Sequence, residues 1–156
     1  MLDWRIDRIG SALRGENPTV IAKMKSGFAV FGDTQFLPGY CVLLAYPKVF
    51  SLNDLSQAER INFLTDMSLI GDAIMDVCKP IRINYEILGN TDNFLHAHIF
   101  PRYDHEGEYK YLPVWNYPKD RWTDELYQYE ELKDGVLKNK IGVKLAELLD
   151  IGGKNI

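Results

Sequence analysis

Residues 94–102 read "FLHAHIFPR". Two of the three histidines of the chain, His96 and His98, stand here one residue apart, and the third, His105, follows closely. Apolar and aromatic residues fill the stretch and a proline closes it, which reads as a β-strand over 94–100. Alternate side chains of a strand share a face. Phe94, His96, His98 and Phe100 therefore point one way, and Leu95, Ala97, Ile99 and Pro101 the other. The second set is wholly non-polar and suits packing under a helix. The first set places two imidazoles next to each other, roughly 7 Å apart by strand rise.

Working outward, "IRINYEIL" (81–88) alternates and reads as the preceding strand, with Gly89 and Asn90 turning the chain. Before it lies the strongest helix signal, within "SLNDLSQAERINFLTDMSLIGDAIMDVC" (51–78). Ser56 and Glu59 form a capping box, and Leu64, Met67, Ile70, Ile74 and Val77 form one apolar stripe that Pro80 ends. "TVIAKM" and "FAVFG", separated by Ser26-Gly27, read as a hairpin. "YCVLLAY" (40–46) is a continuous apolar run and reads as a central strand covered on both faces. Ile6, Ile9 and Leu13 sit at helical spacing over residues 5–13.

After Tyr103 the periodicity weakens. "HEGEYKYLPVWNYPKDRW" reads as irregular and mostly on the surface, and Arg102 as a surface or interface residue. A helix is expected to begin near Thr123, and a last one to carry Ile141, Leu145, Leu148 and Leu149 before Gly152-Gly153. The order is helix, three strands, long helix, two strands, helical tail. That predicts an α+β fold with a mainly antiparallel sheet of about five strands. We expect a core over residues 1–104, with 105–156 as an irregular and helical extension packed on the same domain.

The chain has 156 residues, enough for one domain with a real core. A net charge of −4 argues against broad binding to nucleic acid, which depends on neutralising many phosphates. A small phosphate-bearing ligand needs only a local set of donors. The two cysteines, Cys41 and Cys78, form no CxxC pair and read as free thiols. The N-terminus is charged too early for a signal peptide, and the longest apolar run is too short to span a bilayer. These features together predict a soluble cytoplasmic protein.

Two adjacent histidines admit three chemistries. They can be structural groups on a sheet face. They can be half of a transition-metal site, which needs a third ligand from Asp92, Asp104 or His105, none at persuasive spacing. Or one of them can be a nucleophile, since a neutral imidazole attacks phosphorus near pH 7. The last reading draws support from the "GNT" turn at 89–91, which can aim backbone N–H groups, the Asn90 amide and the Thr91 hydroxyl at a phosphate.

At this point the sequence resembles the histidine triad (HIT) superfamily of nucleotide hydrolases and transferases. The signature of that family is His-x-His-x-His followed by two apolar residues, often running into Pro-Arg. Here "FLHAHIFPR" is similar with His96 as the middle histidine and His98 as the last. "GENP", "FAVFGDTQFLPGYCVLLAYPK", "FSLNDLS" and "NYEILGNT" resemble other parts of the family pattern in order, over about residues 5–104. Two positions depart from it: Phe94 stands for the first triad histidine, and Tyr40 for the histidine that follows the Pro-Gly of the loop.

The resemblance implies roles. His96 would attack the α-phosphorus of a nucleotide, and His98 would lie beside the phosphate. Asn90 and Thr91 would contact the phosphate or leaving group, Asn84 would support the phosphate or ribose end, and Asp33 would accept from ribose hydroxyls. No cofactor would be required, although polyphosphate substrates can arrive with Mg²⁺. A homodimer would be the default state. The expected substrate is a dinucleoside polyphosphate resembling diadenosine tetraphosphate. A nucleoside phosphoramidate and a non-catalytic nucleotide-binding module are the alternatives. Trp115 and Tyr117 read as packing residues, with a contact to a base or to another subunit as the other readings.

Overall fold

The carboxylate of Asp7 accepts from the Gly10 N–H at 2.9 Å and caps the first helix, α1 (Arg8–Leu13). The helix therefore starts three residues later than its apolar spacing suggests. Of its spaced positions only Ile9 is buried, while Ile6 and Leu13 face solvent. The computed structural model describes residues 3–154.

The hairpin forms as read, with β1 (Val20–Lys23) antiparallel to β2 (Gly27–Phe31). A Cβ on Gly27 would lie 1.8 Å from the Leu44 carbonyl oxygen, so only glycine lets the next strand close up here. That strand, β3 (Cys41–Ala45), is central, as its unbroken apolar run predicts. The sheet is completed by β4 (Arg82–Glu86) and β5 (His96–Arg102), in the order β1-β2-β3-β5-β4, every pair antiparallel. This is an α+β fold with a five-stranded antiparallel sheet. β5 runs two residues further than its proline suggests. Pairing with β3 reaches no further than Ile99, so Pro101 has a neighbouring strand on one side only, where a missing N–H is tolerated.

The long helix α2 (Gln57–Cys78) carries its capping box. Ser56 Oγ accepts from the Glu59 N–H, and the Glu59 carboxylate accepts from the Ser56 N–H at 2.7 Å. Lys79, at φ 51°, ends it before Pro80. Its buried stripe is Phe63, Ile70, Ala73 and Ile74 rather than one that begins at Leu64, which is 40% exposed. These residues pack with Leu43, Leu95, Ala97 and Ile99 from one sheet face. Ile141 and Leu145 of the C-terminal helix close the same core.

The opposite sheet face is covered at its two ends and open between them. Ile9, Phe28, Val30 and Leu44 form one apolar cluster. Leu37, Tyr40, Phe100 and Val114 form the other. Register aligns Phe28, Leu44 and His96 in one row of this face, and Val30, Val42, His98 and Glu86 in the next. The histidines thus sit in the gap.

The segment after Tyr103 departs most from expectation. It is irregular, built of 3₁₀ turns and the short α3 (Lys119–Thr123), but Val114 and Tyr117 are buried. Arg102 is not a surface residue: it is 2% exposed. Its guanidinium donates to Glu106 (2.9 Å), Asn84 Oδ1 (2.7 Å) and the carbonyls of Tyr109 (2.6 Å) and Leu112 (2.8 Å). One buried cation therefore supplies the donors that an irregular chain cannot supply to itself. No helix begins at Thr123. Pro118 starts α3, and Asp124 caps a single 3₁₀ turn through the Leu126 N–H. The last helix, α4 (Glu131–Lys154), runs through Gly152-Gly153, which cost a helix about 1 kcal/mol each against alanine but keep their N–H donors. Cys41 and Cys78 are free thiols. No helix among the described residues is long and apolar enough to cross a membrane.

Candidate active site

His96 is 8% exposed, and its Nδ1 lies 2.7 Å from the Phe94 carbonyl oxygen. A carbonyl can only accept, so Nδ1 carries the proton. In the neutral ring Nε2 then holds the free lone pair. The partner is backbone. It is present whatever side chain stands at position 94, so a phenylalanine there does not leave His96 without an orienting group.

His98 is arranged the other way. Its Nδ1 lies 2.7 Å from the Tyr40 hydroxyl. Burial, and then the Asp33 charge, push the ionisation of Tyr40 far above the ordinary tyrosine range, so the hydroxyl keeps its proton. This hydroxyl has no other hydrogen-bond partner among the described residues, and where it donates to Nδ1, His98 carries its own proton on Nε2. Tyr40 is held by stacking on Phe100, with ring centroids 4.2 Å apart. Burial, with the neighbouring His96 second, pulls the pKa of His98 down to about 4. The two imidazoles lie 4.9 Å apart and nearly perpendicular.

The sign of the His98 shift gives a test. A folded pKa below the ordinary value means that the unfolded chain binds this proton first. The associated stability is complete above about pH 6.5 and is lost as pH falls toward about 4. NMR titration of the His98 ring should give a midpoint near 4. A midpoint at or above the free-histidine value would contradict the buried, Tyr40-bound ring.

Two cavities meet at the histidines. The first, about 240 Å³, lies over β2 and β3 and includes Arg8, Asp33, Thr34, Phe94 and Trp122 in its wall. The Asp33 carboxylate is held by the Arg8 guanidinium at 2.8 and 2.5 Å. Thr34 Oγ1 is a buried oxygen with no hydrogen-bond partner among the described residues. The second cavity, about 340 Å³, is walled by Leu88, Gly89, Asn90, Thr91 and Asp92 with the same two histidines. Gly89, at φ 70°, makes the turn that carries Asn90 and Thr91 there. A recess beside them is lined by Arg5, Arg8 and Lys48 together with Asp7 and Asp92, with Lys48 Nζ 5.0 Å from the Phe94 ring centroid.

Asp33, Asn90, Thr91, His96 and His98 are therefore brought together. Asn84 is not. It faces Phe100 across the sheet, lines neither cavity, and accepts from Arg102. Arg8, Lys48 and Trp122 line the site without a sequence signal that would have found them, while Asp92 and Trp115 line it although they read in the sequence as a possible metal ligand and mainly as a packing residue. No group of three His, Cys, Asp or Glu side chains among the described residues could hold a metal ion.

No family model and no curated protein matches the sequence. Solved structures do match. A histidine triad protein from Bradyrhizobium japonicum superposes with a TM-score of 0.71 at 17% identity, covering 93% of this chain and 97% of that one. The fold is that of the histidine triad proteins. A hypothetical histidine triad nucleotide-binding protein from Sulfolobus tokodaii shares it (TM-score 0.67, 16% identity, 90% and 93% covered). So does a diadenosine triphosphate hydrolase from Plasmodium falciparum (TM-score 0.57, 18% identity, 83% and 77% covered). On this histidine triad fold the chain presents two histidines on β5, with Phe94 two residues before them.

Proposed function

We propose that the protein hydrolyses a dinucleoside polyphosphate at the α-phosphate through a nucleotidyl-histidine intermediate. The observation that carries this reading is the Phe94 carbonyl on His96 Nδ1, which leaves the Nε2 lone pair of His96 free beside the His98 ring. His96 Nε2 attacks the α-phosphorus. A P–N bond forms and the bond from phosphorus to the bridging oxygen breaks, so the leaving nucleotide departs with that oxygen. Water then attacks the same phosphorus, the P–N bond breaks, and a nucleoside monophosphate is released with His96 restored.

His98 Nε2–H donates to a non-bridging phosphate oxygen. Its low pKa keeps it a neutral donor, not a second cation that would repel charge on His96. Asn90 and Thr91 face the leaving group from the second cavity, as donors that strengthen when charge builds there. Asp33 accepts from ribose hydroxyls in the first cavity with the lone pairs that Arg8 leaves free, because a carboxylate has about four acceptor sites. Arg8 and Lys48 place positive charge beside the phosphates. A homodimer joined along the β4 edge, where Ile81 and Tyr85 are exposed, fits the same reading.

The test is capture of the intermediate. Brief incubation with α-labelled diadenosine tetraphosphate, quenched in alkali, should leave label on the chain that acid releases as monophosphate and that maps to His96. Binding without either adduct or monophosphate would show a nucleotide-binding module instead.

A further inference from the structure

His96, His98, Asp92 and Trp115 belong to the walls of both cavities, so the reacting phosphorus would lie where the two spaces meet. Trp115 is 42% exposed, and its ring centroid lies 5.3 Å from that of His98. It stacks on Trp122 with centroids 4.7 Å apart and planes 17° apart, and its Nε1–H donates to the Glu86 carboxylate. An aromatic wall already packed on a neighbouring ring loses less side-chain freedom when a ligand arrives. The second cavity otherwise offers Leu88, the Asn90 amide and the Thr91 hydroxyl, which is an apolar surface beside phosphate donors.

We infer that Trp115, backed by Trp122, is a stacking wall for the base of the leaving group, so that the site selects substrates with a nucleoside on each side of the scissile phosphorus. The inference rests on the hydrolase reading above. It assigns the otherwise unexplained segment after Tyr103 a part in choosing the leaving group.

The experiment compares two substrates that leave the same group on His96, diadenosine tetraphosphate and adenosine 5′-tetraphosphate. Wild-type protein should favour the first in kcat/KM by about ten-fold or more, the scale of one base stacked on an aromatic side chain. Trp115→Leu keeps apolar bulk against Trp122 but removes the π-face, and should lower that ratio about ten-fold. Trp115→Phe should restore most of it. Equal losses on both substrates, or no preference in the wild type, would overturn the wall and leave the hydrolase reading intact. If neither substrate turns over, the hydrolase reading fails, and equilibrium binding of the same two compounds decides the wall. Tighter binding of the two-base compound that Trp115→Leu abolishes supports it, and equal binding overturns it.

Discussion

His96→Asn should lower hydrolysis of diadenosine tetraphosphate by about 10⁴-fold or more, the scale seen when a covalent nucleophile is removed. Asparagine is close to the size of the imidazole stem and keeps an N–H for the Phe94 carbonyl, so the fold should change by no more than about 1 kcal/mol. What disappears is the Nε2 lone pair. His98 cannot replace it. Its Nδ1 is engaged by the Tyr40 hydroxyl, and in the proposed arrangement its Nε2 carries the proton. The measurement is single-turnover release of labelled monophosphate from both proteins, with thermal unfolding as the control. A variant rate within ten-fold of wild type would remove His96 from the chemistry.

Arg102→Met should have the largest effect on stability, about 3–5 kcal/mol, as expected when one partner of a buried ion pair is lost. Both side chains of the Arg102–Glu106 pair are almost wholly buried. Without the guanidinium, Glu106 keeps only the Tyr103 N–H and the Tyr117 hydroxyl, and the Tyr109 and Leu112 carbonyls lose a donor. Burial alone would push the Glu106 carboxyl up, but Arg102, the Tyr103 N–H and the Tyr117 hydroxyl together hold it below the usual carboxylate range. A depressed folded pKa stabilises above the unfolded value of about 4.3, and that contribution is lost as pH falls below it. The cost of Arg102→Met, measured by denaturant unfolding, should therefore be full at pH 7 and shrink as pH falls, because without Arg102 burial raises the Glu106 carboxyl and it protonates earlier. Adding Glu106→Gln should recover part of it at pH 7. A cost under about 1 kcal/mol at pH 7 would mean that the pair does not hold the segment.

Much of the fold could be read without coordinates because its signals are local. The Ser26-Gly27 hairpin, the Ser56–Glu59 capping box and the unbroken apolar run of β3 each depend on residues a few positions apart. Failures came where a local pattern had two solutions or none. Phe63 and Leu64 are both apolar and offer two phases for the α2 stripe. Packing against the sheet chose Phe63. The segment after Tyr103 has no period to read, because its backbone is satisfied by a side chain, Arg102, that lies outside it. Asn84 illustrates the same limit within the site: its place on β4 is legible, while its engagement by Arg102 is not.

The sequence alone determined which strand carries the histidines, which way they face and that the sheet is antiparallel, since a period of two and nearby turns decide those things. The resemblance to the histidine triad pattern also marked positions 40 and 94 as unusual. Only the tertiary structure decided what those two residues mean. The Phe94 carbonyl orients His96 through backbone, which a side-chain pattern does not record. The Tyr40 hydroxyl reaches His98 from 58 residues away, a separation no periodicity spans. The first contact puts the His96 proton on Nδ1, and the second sets the Tyr40 hydroxyl against His98 Nδ1.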